Sequence, residues 1–372
     1  MEGITHMRQY VKSRWISVIA LALAVTPALL TQDAKAEIVT VASTVPSNGD
    51  LNPYGVAMVP VSMGNLVQGH ILVSNFNNSS NQQGTGTTIV DIAPSGAVNL
   101  FAWIDASMLP GPCPGGVGLT TALVVLRAGW VIVGSLPTSD GTSATAQAGC
   151  LIVLNPSGDV VETIAGAPIN GPWDMIALDM GSTADLFVTN VLNGTVAGNG
   201  NVVYEGTVVR IDLALPQNSM PSVVSVNTIG SGFPERTNAA ALVLGPTGVG
   251  LAPDGTLYVA DTLENRIASI DNAASRTSTA GIGKTVTLNP ALNAPLGLAV
   301  RPTNGNIFTV NGNNGLLIET TETGAPDGRL LLDSSGTPPG SGALFGLATA
   351  SEGLYFVDDA TNTLNLLTIA KP

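Results

Sequence analysis

Among the acidic residues of this chain, two carboxylates attract attention because they do not repeat. Asp174 lies in Gly171-Pro172-Trp173-Asp174, where comparable segments of the chain carry Gly in place of the Asp, and Asp359 directly follows Asp358. A carboxylate pressed against an indole loses hydration, so its charged form is disfavoured and its pKa rises toward the range used in acid–base chemistry. Together with Asp358 or Asp359, Asn75 and Asn190, Asp174 would supply oxygen ligands for a divalent cation such as Ca²⁺. The plainer reading makes Asp174 a turn residue beside a core Trp. It makes the Asn and Asp side chains caps of their own turns, a role these residues fill readily. Tyr54, Trp173 and Phe345 occupy matching places in three segments. They either form an apolar collar for a flat or aliphatic ligand or pack neighbouring repeats together.

Other chemistry is ruled out by what is missing. The chain has two His, and beyond its first 36 residues only His70, at the start of an expected second strand and so on the face opposite these candidates. A Ser-His-Asp or Cys-His site on the candidate face is therefore excluded. Gly84-Thr85-Gly86 and Gly198-Asn199-Gly200 open no helix and carry no weight as phosphate loops. Cys113 and Cys150 are the only cysteines. In an exported chain they read as a disulfide, because a zinc site would need two further ligands.

The elements that must position these residues come from a repeat. The pattern Pro-x-Gly-apolar occurs at Pro53-Tyr54-Gly55-Val56, Pro114-Gly115-Gly116-Val117, Pro246-Thr247-Gly248-Val249 and Pro295-Leu296-Gly297-Leu298. Variants stand at Pro172-Trp173-Asp174-Met175 and Leu344-Phe345-Gly346-Leu347. Each is followed by a β-rich run ending in a small polar residue: Asn75, Ser135, Asn190, Asp261, Asn311 and Asp358. Runs of β-branched and aromatic residues punctuated by Gly, Pro and Asn are strands. Six such units predict a six-bladed β-propeller of four-stranded antiparallel blades. The last unit has only three strands, so the unpaired run Ile38–Val41 is expected to complete it and close the ring, which removes two exposed edges. Strand starts and second-strand ends then share one face. Three long loops, residues 76–87, 136–149 and 191–207, rise on that face and predict a groove over the first three units.

Residues Pro246 to Asp271 resemble a repeat of the NHL family of propellers, through Pro246-Thr247-Gly248-Val249, Pro253-Asp254-Gly255, Tyr258-Val259-Ala260-Asp261 and Arg266-Ile267. Leu263 and Glu264 depart from that family's usual Gly and Asn. The resemblance implies a six-bladed fold in the NHL and SMP-30-like group. SMP-30-like lactonases place calcium-binding Asn or Asp at the middle of Pro-x-Gly-type motifs. Here those places hold Tyr54, Gly115, Trp173, Thr247, Leu296 and Phe345, which argues against that lactonase site. Lyases of similar fold use several His, and sugar dehydrogenases need basic and His contacts that are scarce here.

Residues 1–36 have the order of a secretory signal. Arg8, Lys12 and Arg14 precede an uncharged run from Ile16 to Leu30, and Ala34-Lys35-Ala36 offers a cleavage site before Glu37. The run is shorter than the ~20 residues a span requires, and no later stretch would cross a membrane. Domain expectations follow: 1–36 signal peptide, 37–372 a single propeller, periplasmic or extracellular. The chain carries a net charge of −13, which repels nucleic acid and anionic lipid. With no His on the candidate face and no ligand at the middle positions, the sequence reading is a non-catalytic module without cofactor, binding a protein, peptide, glycan or small ligand through the long-loop face. The alternative is a divalent-metal-assisted hydrolase or lyase with its site at the channel mouth.

Overall fold

The structure is a computed structural model that describes residues 36–217 and 219–368. The expected signal peptide falls almost entirely on residues 1–35, outside the described residues. Alternating short strands and tight turns build six antiparallel sheets in chain order around one axis. The strand nearest the axis in each blade is Leu51–Met58, Leu119–Val125, Pro172–Asp179, Pro246–Leu251, Pro295–Val300 and Leu344–Thr349. Each packs against the next in sequence, and the last packs against the first. Ring closure is made by Glu37–Ser43, which pairs antiparallel with Thr363–Thr368 as the outer strand of the sixth blade. Closure satisfies backbone groups that would otherwise form open edges.

Apolar cores lie between the blades. Leu72, Ile89, Leu123 and Ile152 fill the seam of blades one and two, and Phe187, Phe233, Val249 and Leu257 fill that of blades three and four. Close approach of inner strands explains the repeated glycine. A Cβ at Gly297 would sit 1.8 Å from the carbonyl oxygen of Phe345, and one at Gly346 would sit 2.0 Å from that of Tyr54. Real atoms do not approach so closely, so only Gly lets these blades meet.

Two features differ from the sequence expectation. The inner strand of blade two begins at Leu119, not at Pro114, because Leu119 pairs with Ser135 as Pro172 pairs with Asn190 and Pro246 with Asp261. Pro114 and Gly115 instead form a turn before that strand, with Gly116 at φ 92°. The Pro-Gly pair matched the repeat by composition, but it serves a loop. Blade three has five strands, since the 17-residue strand Ser222–Asn238 outruns its partner and folds back on Leu242–Leu244. The extra hairpin accounts for the long spacing between the third and fourth repeats, and it carries Arg236 toward the axis.

Candidate active site

The two ends of the channel are built differently. At the end where inner strands begin, Tyr54 stacks on Phe345 with ring centroids 4.0 Å apart and on Phe76 at 4.4 Å, while Trp173 lies 6.4 Å from Tyr54. Tyr54, Trp173 and Phe345 are only 3–4% exposed, so the expected collar is a plug. Leu136, Ala146, Val191 and Leu192, from or beside the long loops, join the same cluster. Those loops are also stitched together, since Thr138 Oγ1 donates to the carbonyl of Gln83 at 2.6 Å. These loop residues therefore close over the channel mouth itself. On this face one cavity lies between the blade-three hairpin and blades four to six, beside Phe345, Leu296 and Arg236, and a smaller one of about 180 Å³ lies at blades two and three beside Pro114, Gly149, Asn170 and Asn193.

Below the plug a cavity of about 330 Å³ runs along the inner strands from Asp174 and Gly346 to the strand ends at Met58, Leu251 and Thr349. Its walls are mostly Val, Leu, Ala and Met, and Asp174 is the carboxylate at its inner end. Asp174 holds its place through backbone contacts. Its Oδ1 accepts from the amide of Met175 at 2.9 Å, and its Oδ2 accepts from the amide of Val249 at 3.0 Å, across the seam to blade four. Burial outweighs these bonds and pushes the carboxyl up to about 7.

Thr121, which sequence reading missed, stands in the same cavity. It occupies in blade two the place Gly holds in blades one, four, five and six, because a Cβ on Gly55 would approach the carbonyl of its predecessor Thr120 at 3.1 Å. The Thr121 hydroxyl is buried and has no partner among the described residues. Adjacent blades thus replace glycine with Asp and Thr, and both residues line the cavity. Identifying Thr121 required the true strand start, which Pro114 concealed.

The other candidates lie elsewhere. Asn75, Asn190, Asp358 and Asp359 do not line the cavity of Asp174. Asn75 donates to the carbonyl of Thr44 at 3.0 Å, and Asn190 Oδ1 accepts from the amide of Asn170 at 3.0 Å. Asn311 and Ser135 make similar bonds to nearby backbone. Asp261 forms a buried ion pair with Arg266 at 2.7 Å. The polar ring thus bonds backbone of the segments packed beside it and holds one structural ion pair, while the Oδ1 atoms of Asn75 and Asp261 are buried without a partner among the described residues. Asp359 sits beside the plug, and burial together with neighbouring Asp358 raises it to about 7. Asp358 is raised by burial and by Asp333. Glu235, also missed, is fully buried on the long fourth strand of blade three. Its Oε1 accepts from the amide of Asn193 at 2.9 Å, and burial raises it to about 8. Nothing in its local sequence marks it, because the burial comes from a loop over 40 residues away. His70 pairs with Asp91 at 2.9 Å at the base of blade one. Cys113 and Cys150 are disulfide-bonded with Cα atoms 5.1 Å apart. Cys113 lies in the loop before the inner strand of blade two rather than at its start.

No family model and no curated protein matches the chain. Solved structures do. A luciferin-regenerating enzyme superposes with a TM-score of 0.55 at 12% identity, covering 90% of this chain and 96% of its own. Regucalcin from Agrobacterium tumefaciens, described as a calcium-binding protein, superposes at 0.52 with 13% identity, covering 89% and 96%. A catalytically inactive virginiamycin B lyase from Staphylococcus aureus, solved with quinupristin, superposes at 0.50 with 13% identity, covering 90% and 100%. These likenesses establish the six-bladed fold. They also correct the expectation of a non-catalytic module, which rested on missing His and ligand positions: propellers of this architecture spanning nine-tenths of the chain include enzymes.

Calcium is the metal the sequence allows, and the donors at the middle positions of the mouth do not fit it. With Thr120 replacing Gly115 at the middle position of blade two, the six places hold Tyr54, Thr120, Trp173, Thr247, Leu296 and Phe345. A hard cation needs six or more oxygen ligands, carboxylates foremost, and this ring is mostly aromatic and aliphatic. Among the described residues no three Asp, Glu, His or Cys side chains converge.

Proposed function

We propose that the chain is an exported catalytic propeller of the SMP-30-like group, a hydrolase or lyase whose acid–base group is Asp174 in the central cavity. One observation carries the reading. A buried carboxyl held near neutrality, at about 7, stands in a ligand-sized cavity where most blades have only glycine. A carboxyl with that pKa populates both protonation states at physiological pH, so it can take a proton and return it. In a hydrolysis the carboxylate would draw a proton from the attacking water and then deliver it to the leaving oxygen. In an elimination it would take a proton from the carbon beside a carbonyl. The C–H electron pair would form the C=C bond as the bond from the β-carbon to the leaving oxygen breaks, and the carboxyl would return the proton to that oxygen. Thr121 lines the same cavity and adds a polar side chain to its wall. The Val, Leu, Ala and Met side chains on the walls favour a small, largely apolar substrate. Export is supported by the signal-like order of residues 1–36 and by the disulfide.

The test is a screen of lactones, carboxylic esters and β-eliminating substrates with the wild type and with Asp174→Asn. Turnover in the wild type that falls at least a hundredfold in the variant, with KM little changed, supports the assignment; general acid–base catalysis contributes ~10²–10⁴-fold. Equal turnover in the two proteins removes Asp174 from the chemistry.

A further inference from the structure

The second cavity, about 320 Å³ at the plugged end, is unlike the first. Its floor is apolar, with Leu244, Leu296 and Phe345 nearly buried and Leu263 beside them. At its edge stands Arg236, placed there by the hairpin that extends blade three. Cations in this chain are few, with 13 Lys+Arg against 26 Asp+Glu, and most in the described propeller are spoken for. Arg127, Arg210, Arg266, Lys284 and Arg301 each form an ion pair. Arg276 donates to the carbonyl of Asp271. Arg236 forms no ion pair among the described residues, and its Nε is buried without a hydrogen-bond partner. The adjacent Glu235 forms no ion pair with it: its Oε1 accepts from the amide of Asn193 and its Oε2 is buried without a partner among the described residues.

A part-buried guanidinium left without an anion costs the fold free energy, because its charge is desolvated and its donors are unmet. Its planar fork matches a carboxylate. A dianion such as a phosphate monoester would call for a second cation, and none lines this cavity. Apolar floor and single cation together define the ligand. We propose that this cavity is a second binding site, separate from that of Asp174, for a small amphiphile with one carboxylate on Arg236 and its hydrocarbon part over Leu244, Leu296 and Phe345. The aromatic plug stands between the two sites, so this one serves recognition rather than the chemistry at Asp174.

Isothermal titration of the intact propeller with octanoate and with its neutral isostere octanamide tests this directly. The expected result is saturable one-to-one binding of octanoate, with octanamide at least tenfold weaker. Arg236→Gln should weaken octanoate about ten- to a hundredfold, the scale of one charge-assisted hydrogen bond, and leave octanamide unaffected. Ala240→Trp, which fills the cavity from an exposed position on its rim and keeps Arg236, should abolish binding of both. The two substitutions are independent, so misfolding of either one, seen by circular dichroism, leaves the other decisive. Absence of saturable octanoate binding to the wild type, equal affinity for acid and amide, or an unchanged affinity in Arg236→Gln would each overturn the proposal.

Discussion

Replacing Asp174 with Asn gives a pH signature that follows directly from its surroundings. Burial raises the carboxyl from 3.8 to about 7 in the folded protein. The folded state therefore holds more protons than the unfolded chain between about pH 4 and 7. Its stability from this group is complete below about pH 4 and is lost as pH rises through about 7. At about 1.4 kcal/mol per pH unit, the loss amounts to roughly 4 kcal/mol by pH 8. Asn cannot ionise, so it escapes that loss. It does lose one acceptor: its single carbonyl oxygen serves either Met175 or Val249, and its amide nitrogen then faces the other N–H. Leaving a buried donor unmet costs about 1–3 kcal/mol at every pH. The variant should thus be less stable than the wild type by about 1–3 kcal/mol at pH 4 and more stable by a similar margin at pH 8. Urea titrations at pH 4, 6 and 8, followed by Trp fluorescence, measure the crossing, with Trp173 buried next to the substitution as reporter. Glu235 and Asp359 titrate in the same range, but they are present in both proteins and cancel in the difference. A wild-type-to-variant gap that is the same at pH 4 and pH 8 would refute the raised pKa, and with it the acid–base role.

Three further outcomes are expected. Cys113→Ser with Cys150→Ser opens a loop spanning 37 residues, so on the chain-entropy estimate it should cost about 4 kcal/mol and lower the urea midpoint; an unchanged midpoint would show that the bridge leaves the unfolded chain unconstrained. Gly346→Ala places a methyl 2.0 Å from the carbonyl oxygen of Tyr54, so the seam of blades six and one must part, and melting should fall well below the wild type or soluble protein should be lost. Calcium at 1 mM should leave the melting temperature where EDTA leaves it; a site filled to a hundred times its Kd would add about 2.7 kcal/mol, and a rise of that size would show oxygen ligands the mouth does not display.

Much of the architecture is written locally. Runs such as Leu257–Asp261 and Gly353–Asp358 are β-rich, bounded by turn residues, and recur in six units, so strand, turn and blade number all follow from patterns a few residues long. The orphan strand at Glu37–Ser43 and the pairing of the only two cysteines could be read in the same way. Asp174 was also legible, since a carboxyl breaking a glycine repeat is a local irregularity. The tertiary structure alone decided what these residues face. Whether Tyr54, Trp173 and Phe345 leave an opening or fill it depends on six inner strands, drawn from across the chain, converging on one axis. The strand register that puts Thr121 beside the same cavity as Asp174, the loop that buries Glu235, and the hairpin that leaves Arg236 without an anion are all long-range arrangements. Sequence periodicity sets which side of a strand a residue takes. Burial, desolvation and pairing depend on what distant segments bring to that side, and in a closed ring every blade meets neighbours that its own sequence does not encode.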